Sequence, residues 1–121
     1  MSNDQGTSSG PAPVKVTISG DKLADNPAEN IIWYVGEDEN GRIFYATEGE
    51  DTWLYCTSTN NGVRVGTNTS KVFTWSNEYL QHVGTSRYLG IYDTKDWRCY
   101  TTHTAANISN QTFQFYVKVG D

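Results

Sequence analysis

The sequence predicts an all-β fold, a repeat-built barrel that is β-trefoil-like, and three observations predict it. Tyr, Trp, Val and Thr are abundant, while strong helix formers are scarce. Short β-branched and aromatic runs alternate with Gly-, Asn- and Asp-containing turns at close spacing. Ile31, Phe73 and Phe115 lie 42 residues apart, as do Trp33, Trp75 and Val117, which marks the opening strands of equivalent units.

Residues 1–13, MSNDQGTSSGPAP, are polar and lack apolar periodicity, so a flexible arm is expected ahead of a single all-β domain over 14–121. At 121 residues, two separate cores would each be too small. Strands are expected over 14–19, 31–36, 42–47, 53–58, 63–66, 72–76, 79–83, 88–92, 97–102 and 112–119. Glu39-Asn40-Gly41, Asn60-Asn61-Gly62, Ser76-Asn77-Glu78 and Asp93-Thr94-Lys95-Asp96 separate successive runs and predict four hairpins. Asn-Gly is a strong hairpin signal, because the favoured two-residue turn needs positive φ at both central positions.

The hairpin sequence WLYCTSTNNGVRVG resembles YLGIYDTKDWRCYT at an offset of 34 or 35 residues, so loop lengths must differ between units. Four-stranded units of this length fit a β-trefoil, whose closure removes vulnerable sheet edges. Ten strands fall short of a full trefoil, and the deficit lies in the unit shared by the N-terminal and last strands. A trefoil incomplete at its N-terminus is therefore expected, with a Greek-key barrel or sandwich as the alternative.

Nine Lys and Arg against fourteen Asp and Glu leave a net charge of -5, a field that opposes phosphate backbones and argues against nucleic acid as a partner. No apolar run approaches the roughly 20 residues of a membrane-spanning helix, so membrane insertion is not expected. The chain begins without a basic stretch leading into an apolar one.

Catalytic residues are not expected. His82 falls in the strand-like run YLQHV and His103 in the polar stretch TTHTAANIS, and neither neighbours a nucleophile motif. Glu37-Asp38-Glu39 and Glu48-Gly49-Glu50-Asp51 lie in expected turns and read as solvated charge rather than as a carboxylate pair or calcium loop. The glycines stand singly between strands, which gives no phosphate-cradling loop and implies no cofactor. Cys56 and Cys99 lack zinc-ligand spacing; they read either as one disulfide or as two buried thiols.

Four tryptophans, Trp33, Trp53, Trp75 and Trp97, recur at spacings of 20, 22 and 22. Trp33 and Trp75 occupy equivalent repeat positions and are expected to face the core together. By strand alternation, Leu54 and Cys56 share one face while Trp53 and Tyr55 share the other; Trp97 and Cys99 oppose Arg98 and Tyr100. If Leu54, Cys56 and Cys99 point inward, Trp53, Tyr55, Arg98 and Tyr100 form an outward aromatic and guanidinium surface, which Asn60, Asn61 and Arg64 extend. Such a surface suits a glycan or a protein partner, since aromatic faces stack on sugar C–H groups while Arg and Asn supply hydrogen bonds. The rival reading is that these rings cover a barrel end or meet another domain of a larger parent protein.

The stretches WLYCTSTNNGVRVGTNTSKVFTW, YLQHVGTSRYLGIYDTKDWRCYT and NISNQTFQFYVK carry a family resemblance. Across residues 12 to 119, with its densest motifs at WLYCT, NNGVRVGTN, TSRYLGIY, DWRCYT and NQTFQFY, the chain resembles an all-β accessory module of unknown activity. That module recurs near the C-terminus of large secreted and surface proteins of Bacteroides and relatives. The resemblance implies a secreted or cell-surface location, an adhesive or ligand-binding role and no catalytic residues. In bacteria, the Asn-x-Ser/Thr triplets at Asn68, Asn107 and Asn110 mean only polar loops. Related modules also place a strand before a segment like SNDQGTSSGPAPVKVTIS, which implies that the first strands of the module precede Met1.

Overall fold

A computed structural model, described for residues 1–57 and 59–119, is antiparallel β throughout. Its strands are β1 (Ile18–Ser19), β2 (Lys22–Leu23), β3 (Tyr34–Asp38), β4 (Gly41–Tyr45), β5 (Trp53–Cys56), β6 (Val63–Gly66), β7 (Phe73–Ser76), β8 (Tyr79–His82), β9 (Tyr88–Tyr92) and β10 (Asp96–Tyr100). A 3₁₀ turn, Glu29–Ile31, precedes β3.

All four expected hairpins form: β3–β4, β5–β6, β7–β8 and β9–β10. Asn77 and Glu78 turn β7 into β8 at φ 53 and 68, and Asp93 and Thr94 take φ 47 and 59 between β9 and β10. In the β5–β6 loop the left-handed residues are Asn60 and Asn61, at φ 52 and 55. Asn and Asp tolerate this conformation better than most side chains. Gly41 is required for a different reason: a Cβ there would collide with the Phe73 carbonyl where β4 meets β7.

The hairpins are joined by narrow contacts. Arg42 pairs with Phe73, Tyr45 with Trp53, and Gln81 with Tyr88, giving the order β10-β9-β8-β7-β4-β5-β6 with β3 on β4. A tight hairpin followed by a longer-looped one, β3–β4 with β5–β6, is thus repeated as β7–β8 with β9–β10. Leu54, Cys56, Val63, Val65, Phe73, Leu80, Leu89 and Cys99 fill the core between them.

The closed barrel is not formed, because no ladder joins the end strands β6 and β10. The third unit is also missing as strands. Of 14–19 only Ile18 and Ser19 are paired, in a small hairpin with β2 apart from the main sheet, and 112–119 joins no ladder. β propensity alone does not make a strand, and neither segment pairs with an edge of the main sheet. The 42-residue spacing therefore does not translate into equivalent environments. Ile31 ends the 3₁₀ turn, Phe73 is fully buried and Phe115 is 41% exposed. Trp33 packs on the core and donates its Nε1 hydrogen to Met1 O, but Trp75 is also 41% exposed, contrary to the shared inward placement expected.

Residues 1–13 are not a loose arm. Ser2 and Pro11 are fully buried, and Ser2 and Ala12 exchange two hydrogen bonds, Ser2 N to Ala12 O at 2.9 Å and Ala12 N to Ser2 Oγ at 2.7 Å. The segment between them lies along the gap left by the missing ladder. Gly6 O accepts from Val65 N of β6 at 3.1 Å, and Pro11 O accepts from Trp97 N of β10 at 2.9 Å. Beside these, Cys99 N donates to Asn61 O at 3.0 Å. The segment thus seals a seam between two sheet edges that would otherwise be open.

Deleting residues 1–12 should therefore lower the unfolding free energy by about 3 kcal/mol, from lost backbone bonds and burial. Urea denaturation checks this; an unchanged midpoint would mean that the segment contributes nothing.

Candidate functional site

Of the expected outward surface, the aromatic part is buried. Trp53, Tyr55 and Tyr100 are only 9%, 8% and 7% exposed. Leu54, Cys56 and Cys99 do face the core as the alternation requires, but the other face of β5 carries a second layer. There Trp53 and Tyr55 pack with Ile43 and Tyr45, the Tyr45 ring standing edge-on to Trp53 at 5.9 Å. The loop after β6 covers Trp53: Lys71 Nζ sits 3.6 Å from the ring centroid, and Nε1 donates to Asn68 O at 2.6 Å. Thr7 of the N-terminal segment and the Tyr55 ring both close on Gly66, where a Cβ would come within 3.0 Å of Thr7.

The polar members of the set fare differently. Asn60, Arg64 and Arg98 line one groove of about 310 Å³, together with Thr57, Thr59, Gly62 and Asp96. Its walls are the β5–β6 hairpin on one side and β10 on the other, so the groove lies along the seam. Arg98 is fixed by two contacts: its Nε donates to Asp96 Oδ1 at 2.6 Å, and its guanidinium lies 4.3 Å from the Tyr92 ring centroid. Arg64 is tethered through Nη1 to Val63 O at 2.7 Å. Asn61 turns to the seam instead, its side-chain oxygen accepting from Arg87 Nη1, which also reaches Cys99 O at 3.3 Å.

Asp96 and Tyr92 were absent from the expected set. The signal for Asp96 is its place two residues before Arg98, on the same face of a strand. A second, more open groove of similar volume lies between β3–β4 and β7, lined by Glu37, Asp38, Arg42, Thr74 and the exposed Trp75. Trp75 is held there by Nε1 donating to Phe113 O at 3.2 Å and by Phe115 edge-on at 4.9 Å.

Cys56 and Cys99 are both thiols, fully buried, with Sγ atoms 3.1 Å apart across the seam. Cys56 donates to Cys99, and that bond together with burial pushes the Cys56 thiol far above its ordinary range.

His82 is buried in a network that fixes its tautomer. Thr85 N donates to Nδ1 at 3.1 Å, so the ring proton lies on Nε2, which points at Ser70 O at 2.9 Å. Ser70 Oγ is also 3.1 Å from Nε2, but a nitrogen that carries its proton cannot take one from that hydroxyl. His103 stacks on Tyr79 at 4.2 Å and bonds Asn110 Oδ1 through Nδ1 at 2.7 Å. Among the described residues, no three His, Cys, Asp or Glu side chains gather as metal ligands, and no helix is long and apolar enough to cross a membrane.

No family model matches the chain, and no curated protein or solved structure is significantly similar to it.

Burial lowers the His82 pKa. The unfolded chain then takes up a proton near pH 6.5, the folded one only at lower pH, so this contribution is complete above about pH 6.5 and shrinks as pH falls through that window. The urea midpoint should drop between about pH 7.5 and about pH 5.5, and His82→Gln should flatten that slope; equal slopes would contradict the assignment. With reductant present, iodoacetamide should label neither cysteine in the folded domain and both after denaturation. Labelling of the folded protein would show that the seam opens.

Proposed function

We propose that this chain is a noncatalytic binding module that holds a glycan in the seam groove. The observation that carries the reading is the convergence of Asn60, Arg64 and Arg98 from two separate hairpins on one concave surface. Fixed guanidinium groups and free amide and hydroxyl groups suit a polyhydroxylated ligand.

The family resemblance supports an accessory role in a secreted or cell-surface bacterial protein, where Cys56 and Cys99 would oxidise to a disulfide across the seam. The doubled pair of hairpins supports a trefoil-like relation, with the missing strands belonging to the third unit.

A second reading, an inter-domain spacer, is favoured by one observation. Phe115, Val117 and Val119 at the C-terminal end, and Trp75 beside Phe115, expose apolar surface of the kind a neighbouring domain covers.

A glycan array separates the two. The binding reading expects selective retention of one glycan class, and Asn60→Ala with Arg98→Gln should weaken it by at least about tenfold. No retention on any glycan would favour the spacer.

A further inference from the structure

We infer that the saccharide taken by the seam groove is anionic, its acid group seated between Arg64 and Arg98; the inference rests on the binding-module reading. The groove opposes the charge of the chain. The protein carries -5 overall, yet this concavity is lined by two guanidinium groups and one carboxylate. That carboxylate is already engaged, since Asp96 Oδ1 accepts from Arg98 Nε. Among the described residues Arg64 has no carboxylate within ion-pair distance, and its Nη1 meets only a backbone oxygen. One positive charge in the groove is therefore uncompensated.

Both guanidinium groups are also held in place. Arg98 has one face on Tyr92, its Nε on Asp96 and the Tyr100 hydroxyl within reach, so the donors it can still offer lie on its terminal amino groups. A planar fork fixed before binding loses little freedom when a ligand arrives and matches the two oxygens of a carboxylate. A neutral sugar would leave the Arg64 charge without a counter-charge. The exposed Asn60 and Thr59 side chains supply donors and acceptors for ring hydroxyls beside it. Because the net field of the chain repels anions, the attraction is local and must weaken with salt.

The test is calorimetric titration of the whole chain and of its Arg64→Gln and Arg98→Gln variants. The probes are an oligogalacturonate, a heparin-derived sulfated oligosaccharide and a neutral cello-oligosaccharide. The expected result is binding of the carboxylated probe that weakens with added salt. Each substitution should reduce it by about tenfold or more while the melting temperature stays unchanged. The same arginine dependence for the sulfated probe alone would identify a sulfate ester as the acid group and support the inference. Equal binding of the neutral probe, unaffected by Arg64→Gln, would overturn it while leaving the binding module standing. Failure of every probe would overturn both.

Discussion

Two strand edges, those of β6 and β10, meet without a ladder between them, and the rest of the molecule depends on how that gap is filled. Val65 gives its amide hydrogen to Gly6, Trp97 gives its own to Pro11, and Cys99 reaches Asn61. Each bond is individually modest, but an unfilled gap would leave buried backbone donors beside the core, which is far more costly. The composition that resembles disorder suits this task. Pro11 needs only to present a carbonyl, Gly6 turns at φ 58, and at Gly10 a side chain would press on the Trp97 carbonyl at 2.8 Å.

Drawing the two edges together has chemical consequences. It places the tip of the β5–β6 hairpin against β10, which brings Arg64 and Arg98 to one groove although they lie on different hairpins. The same approach sets Cys56 beside Cys99 in the core and lets Arg87 clasp Asn61. The candidate site is therefore a property of the seam, and whatever loosens the seam should disperse its polar groups. The two grooves differ accordingly: the one at Trp75 is bounded by ladder-paired strands, whereas the walls of the seam groove, the β5–β6 hairpin and β10, share no ladder.

Much of the fold was legible in the residues. Turn chemistry at Asn60-Asn61, Asn77-Glu78 and Asp93-Thr94 located three hairpins, and Gly41 located the fourth, although it serves close packing rather than positive φ. Period-two alternation grouped Leu54 with Cys56 on one face of β5, and that face, like Cys99, is the one turned to the core. It misled on the opposite face, because alternation says only that Trp53 and Tyr55 point away from Leu54, not that solvent lies there. Lys71, Asn68 and Thr7, distant in sequence, provide the cover. The segments 14–19 and 112–119 have strand-forming residues, yet apart from Ile18–Ser19 they pair with no strand, and no local pattern shows which segments the sheet will take up. For the candidate site, alternation singled out Arg98 and hairpin adjacency singled out Asn60 and Arg64, and all three line one groove, while the contact of Tyr92 with Arg98 follows only from the three-dimensional path.

Amide hydrogen exchange resolved by residue tests the seam most directly. The account predicts that Val65, Trp97 and Cys99 exchange as slowly as ladder amides in the core of β5 and β9, since their hydrogen bonds open only when the sheet does. Exchange of Val65 and Trp97 at the rate of an open loop, with the β5 and β9 amides still protected, would show that residues 1–13 do not hold the two edges together.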